Sequence, residues 1–249
     1  MTKAISLFSG AGGDTLGMKN ADIDVVGFIE NDPDAIDTHI TNFPLCKLIG
    51  QDITSIPDDT FYEYRNNIDI IFGGFPCQSF SHGGKKNPED ERGQLYKEFI
   101  RITNIIRPTI IIGENVKGLL TRQASNGTLI LSNIISEFND IGYTLIYKTI
   151  NCENFGIPQR RSRVVIIGIR SNSGINIRDI NIPVGNSHQA TIRGICQFSL
   201  RNAIQIHKQN IIDLIPTNKF ITEITNIDTV FGKPPANLVK CYNQDYLSF

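Results

Sequence analysis

A cysteine held behind a proline, Cys77 in Gly73-Gly74-Phe75-Pro76-Cys77-Gln78-Ser79-Phe80-Ser81, follows the apolar run Ile68 to Phe72. A thiolate is a strong nucleophile toward carbon, and a nearby positive charge or helix N-terminus lowers its pKa toward neutrality. The stiff Pro76 on one side and the polar Gln78-Ser79 on the other suit a reactive thiol better than a core cysteine. Glu114, in Gly113-Glu114-Asn115-Val116, closes the next apolar run. A carboxylate there is costly inside a core, so it is expected at the sheet edge where ligands bind. A third group is Gln159-Arg160-Arg161-Ser162-Arg163, leading into Val164-Val165-Ile166-Ile167-Gly168. Alternate residues of extended chain point the same way, which predicts a shared face for Arg161 and Arg163. Two guanidiniums side by side suit phosphates and a base carbonyl oxygen.

A binding constellation precedes these groups. Phe8-Ser9-Gly10-Ala11-Gly12-Gly13 follows the first apolar run and opens a helical segment. Glycines there let the backbone approach a ligand closely. Glu30 lies twenty residues beyond Gly10, where doubly wound folds place the acid that binds a ribose diol. Asp52, in Gln51-Asp52-Ile53, falls at the expected end of a third strand and could accept from an adenine amino group. The spacing Gly10-x-Gly12 lacks the third glycine of the pyrophosphate fingerprint, which argues against a dinucleotide. A cofactor with a nucleoside and no phosphates, S-adenosylmethionine, fits the pattern.

Short apolar runs that alternate with amphipathic stretches would position these residues. Strands are expected at Ala4–Phe8, Val25–Glu30, Ile68–Phe72, Ile110–Gly113, Leu145–Ile150 and Val164–Ile169, and helices at Pro33–Asn42, Gly93–Ile106 and Thr128–Ile141. That alternation predicts an α/β fold with a doubly wound, mostly parallel sheet. Past Arg170 the periodicity weakens and Pro183, Pro216, Pro234 and Pro235 punctuate the chain. The expected division is a catalytic, cofactor-binding domain over 1–170 and a partial recognition region over 171–249.

Composition narrows the function classes. The 249 residues, 40% hydrophobic, are enough for a full core, and the net charge of -1 leaves nucleic-acid contact to a local basic face. Five scattered cysteines without a Cys-x-x-Cys pair, and four scattered histidines, favour free thiols and no metal. No run of eighteen apolar residues occurs, so a cytoplasmic protein is expected.

Taken in order, Phe8-x-Gly10-x-Gly12, Glu30, Asp52, Pro76-Cys77-Gln78, Glu114-Asn115-Val116 and Gln159-x-Arg161-x-Arg163 resemble the motifs of the cytosine-C5 DNA methyltransferase family. The resemblance covers the first two thirds of the chain and fades after Arg170. It implies a Rossmann-like methyltransferase fold, S-adenosylmethionine as methyl donor with S-adenosylhomocysteine as product, and double-stranded DNA as partner. It implies that a cytosine is rotated out of the duplex, that Cys77 adds to carbon 6 and that carbon 5 takes the methyl. Glu114 would hold the ring N3 and exocyclic amine, and Arg163 the base carbonyl oxygen or a phosphate. Asn115 and Arg161 would hold Cys77 and Glu114 in position. The implied cofactor contacts are Phe8, Gly10, Gly12, Glu30, Asn31, Asp52, Ile53, Pro76 and Leu95. The implied DNA-closing loop, Ser79 to Arg92, carries Ser79, Ser81, Lys85, Lys86 and Arg92.

The chain departs from that pattern in two places. Asn31 stands where many relatives have an aromatic ring to stack on adenine, which shifts that contact to Phe8. Two further family motifs beyond the recognition region are not found, and Gly185-Asn186-Ser187 comes too early in the order to be one of them. A partial recognition region including Gly232-Lys233-Pro234-Pro235-Ala236-Asn237-Leu238 is expected to be completed by a second polypeptide. The expected activity is that of a bacterial restriction-modification methyltransferase or its larger subunit. A tRNA cytosine-C5 methyltransferase and a noncatalytic or truncated DNA-binding module are the alternatives. An amino-directed DNA methyltransferase is disfavoured, because its chemistry needs no thiol.

Overall fold

The computed structural model describes residues 1–76, 95–124, 127–157 and 159–185. Cys77, Ser79, Ser81, Lys85, Lys86, Arg92 and the stretch 186–249 lie outside the described residues. Compact units form from residues 1–150 with 162–183, and from 151–161 with 184–249. The first unit contains the sheet. In the second, the Cys152 amide donates to the Arg161 carbonyl at 2.8 Å and the Asn154 side-chain amide donates to the Val184 carbonyl at 3.3 Å.

The elements run β1 (Lys3–Leu7), α1 (Gly13–Asn20), β2 (Asp24–Ile29), α2 (Pro33–Asn42), β3 (Lys47–Gly50), β4 (Ile70–Gly73), α3 (Tyr96–Ile106), β5 (Ile110–Val116), α4 (Ile130–Asp140), β6 (Tyr143–Asn151) and β7 (Ser162–Arg170). The seven strands form one sheet in the order β3-β2-β1-β4-β5-β7-β6. β1 pairs in parallel with β2 and β4, β2 with β3, and β4 with β5, whereas β7 pairs antiparallel with β5. The fold is thus the doubly wound, mostly parallel α/β sheet that the alternating pattern predicts.

Residues that alternate along each strand are sorted to opposite faces. Ala4, Phe28 and Ile70 join Met18 of α1 and Ile36 of α2 in one buried cluster. Ile5, Leu7, Ile29 and Ile71 join Phe99 and Ile102 of α3 and Ile134 and Phe138 of α4 in the other. Both faces are covered, as a parallel sheet requires. The start of α2 follows local chemistry: Asp32 caps it by accepting from the Ala35 amide at 2.9 Å, with Pro33 in the first turn.

One row of strand pairings crosses most of the sheet: Gly50, Ile29, Leu7, Gly73, Gly113 and Ile166 are successive partners. The residues that follow this row at the carboxyl ends of the parallel strands are Gln51, Glu30, Phe8, Gly74 and Glu114. Strand order reverses between β1 and β4, which is the switch point where such sheets open a crevice.

Two features differ from expectation. The apolar run of β5 ends at Gly113, yet the strand continues through Glu114 and Asn115 to Val116, because β7 supplies an antiparallel ladder that pairs Val116 with Arg163. A 3-10 segment at Asp58–Tyr64, which buries Phe61, fills the connection to β4 that carries no strong periodicity in the sequence. Among the described residues no helix is long and apolar enough to cross a membrane.

Candidate active site

The glycine turn after β1 is built from left-handed backbone, with φ of 58° at Phe8, 53° at Gly10 and 89° at Gly12. Its peptides are tied down. The Ser9 amide donates to the Ile29 carbonyl at 3.1 Å, the Gly12 amide to the Ser9 carbonyl at 3.1 Å, and the Leu16 amide to the Gly12 carbonyl at 2.9 Å. A Cβ on Gly10 or Gly13 would meet nothing within 4 Å, so the turn leaves open space beside its backbone. A Cβ on Gly12 would instead press on the Phe43 ring at 2.7 Å and on His39 Nδ1 at 3.2 Å.

Glu30 ends β2 beside this turn, and three backbone amides fix its carboxylate. Gly10 donates to Oε2 at 2.7 Å, and Asn31 and Asp32 donate to Oε1 at 2.9 Å each. The head is half-buried, and these amides set its position. Asp52 is exposed, and its carboxylate is organised by the turn that follows. Thr54 donates its hydroxyl at 2.7 Å and its amide at 3.0 Å, and Ser55 its hydroxyl at 3.0 Å. Those donors, the Thr54 hydroxyl foremost, then the Thr54 amide and the Ser55 hydroxyl, hold the Asp52 carboxyl below the usual carboxylate range. Ile53 is buried, and its carbonyl accepts from Arg101 of α3 at 3.0 Å. Arg101 is itself paired with Asp58 and, at 2.7 Å, with Glu98. Asn31 is exposed, while Phe8, Pro76 and Leu95 are half-buried, with Phe8 and Leu95 packed against the core.

On the other side of the switch point, Glu114 projects from β5 and pairs with Arg163 of β7, Oε1 to Nε at 2.6 Å. The side chains are 35% and 18% exposed, which leaves the carboxylate reachable from solvent. A Cβ on Gly74 would lie 3.7 Å from Glu114 Oε2 and 3.8 Å from the Phe8 carbonyl oxygen. The ends of β1, β4 and β5 therefore converge at one point, and a side chain at residue 74 would occupy it. Asn115, 2% exposed, points the opposite way and donates to the Phe75 carbonyl at 3.1 Å, while its Oδ1 accepts from the Val116 amide at 2.8 Å. Phe75 is buried against Phe99. The backbone that leads into Cys77 is thereby clamped to β5 two residues before the thiol.

The structure brings together Phe8, Gly10, Gly12, Glu30 and Gly74 with Glu114 and Arg163 along one sheet edge. Arg161 is exposed and precedes β7, within the second unit, so alternation along the strand begins only at Ser162. Among the described residues no group of three or more His, Cys, Asp or Glu side chains could hold a metal ion.

Residue-by-residue reading of the sequence misses a polar layer beneath the glycine turn. Ser6, fully buried in β1, donates to Asp14 Oδ2. His39, also fully buried, contacts Ser9. A signal was available: His39 lies three residues after the buried Ile36 on α2, hence on its core-facing side.

The sequence profile of the C-5 cytosine-specific DNA methylases matches residues 2–236. The type II methyltransferase M1.HphI of Haemophilus parahaemolyticus is 37% identical over 176 residues, spanning 69% of this chain and 46% of that protein. M.NgoPII of Neisseria gonorrhoeae, also a type II methyltransferase, is 32% identical over 230 residues, spanning 92% of this chain and 64% of that protein. A crystal structure described as a prophage-encoded DNA modification methyltransferase of Escherichia coli superposes with a TM-score of 0.66 at 27% identity, covering 83% of this chain and 57% of the other. The chain thus spans about half the length of the curated relatives it matches. With the profile extending across nearly all of the sequence, this protein belongs to the C-5 cytosine-specific DNA methylase family.

Proposed function

We propose that this chain carries the cofactor-binding and catalytic part of a type II DNA cytosine-C5 methyltransferase that draws its methyl group from S-adenosylmethionine. The observation that carries the reading is the Glu114–Arg163 pair, held at 2.6 Å beside Gly74, three residues before Cys77. An acid and an arginine at the edge of a switch point, with a nucleophile three residues beyond Gly74 in the sequence, would meet what cytosine needs, because carbon 5 becomes electron-rich only after carbon 6 is attacked.

The residues fit the cofactor. Glu30, with its carboxylate fixed by three amides, would accept from the ribose hydroxyls, and the open face of Gly10 gives the methionine portion room to approach the backbone. Phe8 would contact the adenine, with Asp52 accepting from its amino group and Asn31, Ile53, Pro76 and Leu95 lining the remainder. When bound, S-adenosylmethionine supplies an electrophilic methyl group.

The chain's own residues do the rest. The Cys77 thiolate adds to carbon 6 of a flipped cytosine, forming a carbon–sulfur bond and pushing the ring electrons toward carbon 5 and N3. Glu114, protonated, donates to N3 and accepts from the exocyclic amine, so that its proton passes to N3 as the ring becomes electron-rich, and Arg163 pairs with the carboxylate left behind and meets the base carbonyl oxygen. Asn115 holds the Phe75 carbonyl, two residues before Cys77 in the sequence, and would thereby steady the segment that carries the thiol. After carbon 5 is methylated, its proton leaves to a base, the carbon–sulfur bond breaks, and the thiolate is regenerated. Ser79, Ser81, Lys85, Lys86 and Arg92 would close over the DNA backbone, and Arg161 would support the strand that bears Arg163.

The test is transfer of labelled methyl from S-adenosylmethionine to unmethylated DNA, with the product base identified as 5-methylcytosine. Cys77→Ser should lower the rate on the order of 10³-fold or more, as loss of a covalent nucleophile does. An oligonucleotide with fluorine at carbon 5 cannot lose that position as a proton and should trap the wild-type adduct at denaturing-gel stability. The second polypeptide expected from the sequence enters as an added component: activity that appears only in its presence supports a divided enzyme, and full activity of this chain alone rejects one. Label in tRNA and none in duplex DNA would overturn the DNA reading.

A further inference from the structure

We propose that His39 is a positioning residue for the cofactor site, acting through a chain of hydrogen bonds from His39 to Ser9, to the Gly10 peptide, and on to the Glu30 carboxylate. The inference rests on the functional reading above, in which Glu30 and the Gly10 backbone meet the cofactor. His39 itself is fully buried on α2 and touches no ligand space. Its ring stacks on Phe28 of β2 with centroids 3.8 Å apart and planes 9° apart, and it meets Phe43 edge-on at 5.3 Å.

The donor order follows from what each atom can reach. His39 Nδ1 lies 3.1 Å from Ser9 Oγ, whereas Nε2 is enclosed and has no hydrogen-bond partner among the described residues. A buried N–H without an acceptor costs more than a buried lone pair without a donor, so the ring proton belongs on Nδ1. Nδ1–H then donates to Ser9 Oγ, which frees the Ser9 hydroxyl to donate to the Gly10 carbonyl at 3.3 Å. On the far side of the same residue, the Gly10 amide donates to Glu30 Oε2 at 2.7 Å. Burial lowers the pKa of the ring, against smaller opposing pulls from the Gly10 carbonyl and Glu30, which keeps it neutral and this donor order intact near pH 7. Gly10 sits at a φ of 53°, a conformation with little steric preference of its own in glycine, so the polar chain is what fixes both faces of its peptides.

A purely space-filling role for His39 would not respond to the identity of its Ser9-facing atom. The experiment is calorimetric titration of the full chain with S-adenosylhomocysteine, with thermal melts to show that each variant is folded. His39→Phe keeps the stacked ring and removes the donor, and Ser9→Ala removes the middle of the chain and leaves the ring. Each should weaken binding roughly tenfold, the scale of one hydrogen bond lost. Together they should weaken it by little more than either alone, because both break one chain. His39→Asn places an amide donor near the Nδ1 position and should stay within about threefold of wild type. Wild-type affinity in both folded single variants, or effects that multiply in the double variant, overturns the proposal and leaves the cofactor reading standing. Failure of the wild-type chain to bind the probe overturns that reading, and the proposal with it.

Discussion

Glu114, the acid of the proposed mechanism, is also a structural end-point. It sits in a strand, opposite Val165, and yet its head is over a third exposed because Gly74, across the row, has no side chain to cover it. Glu114→Gln should keep the fold, since a partly exposed ion pair contributes little stability, but should lower methyl transfer about 100-fold because an amide has no acidic proton to give N3 as the ring becomes electron-rich. Parallel melting curves and steady-state rates check this. Asn115 is the converse, a polar side chain whose work is all internal. Asn115→Ala leaves the Phe75 carbonyl without its partner and should cost about 1–3 kcal/mol in urea unfolding. Glu114 and Arg163 stood out in the sequence as candidates because charged groups at the ends of apolar runs violate the composition of a core, and the structure pairs them; Cys77 stood out on similar grounds and lies outside the described residues. His39 and Ser9 did not stand out: the core-facing place of His39 on α2 was a signal of burial alone, and what the pair means lies in a contact across thirty residues.

At the scale of elements, the glycine turn and the strands around it follow different rules. The turn is specified by backbone: Gly12 combines a φ of 89° with Phe43 and His39 packed against its Cα. Gly12→Ala should destabilise the protein by about 1–2 kcal/mol from the left-handed conformation alone, with a further loss of cofactor affinity as Phe43 is displaced, read by denaturation and calorimetry. The strands are specified by hydrophobic runs, and most of them could be placed from the sequence. β5 is the instructive exception. Its last three residues, Glu114 to Val116, read as a strand end because the apolar run stops, whereas the ladder with β7 keeps them extended. That pairing depends on residues almost fifty positions later, which no local window contains. β3, at four residues with none fully buried, was visible only through the acid that follows it.

The whole molecule carries an electrostatic burden beside the glycine turn. Asp14 is half-buried in the first turn of α1, its Oδ1 enclosed without a partner among the described residues, and burial pushes its carboxyl above the ordinary value of 3.8 against the pull of the Ser6 hydroxyl. A carboxyl raised on folding favours the folded state only when protonated, so Asp14 destabilises the protein above its folded pKa, and the penalty is relieved as pH falls through that value. Asp14→Asn should therefore raise the melting temperature at pH 8 by about 2–4 °C, with the gain shrinking as pH approaches 4. A gain that stays constant across that range would mean that charge is not its cause. The order in which the sheet is made carries one more consequence. β7, the last strand in sequence among the described residues, is inserted between β5 and β6 and brings Arg163 to Glu114. During synthesis, every chain shorter than about 170 residues holds β5 with one open edge and Glu114 without its cation, a combination that invites pairing with other chains. The ribosome thus delivers the strand that closes the edge of β5 and the cation that pairs with Glu114 in one stroke, so a nascent chain with β5 still open also lacks the acid–arginine pair on which the proposed chemistry rests.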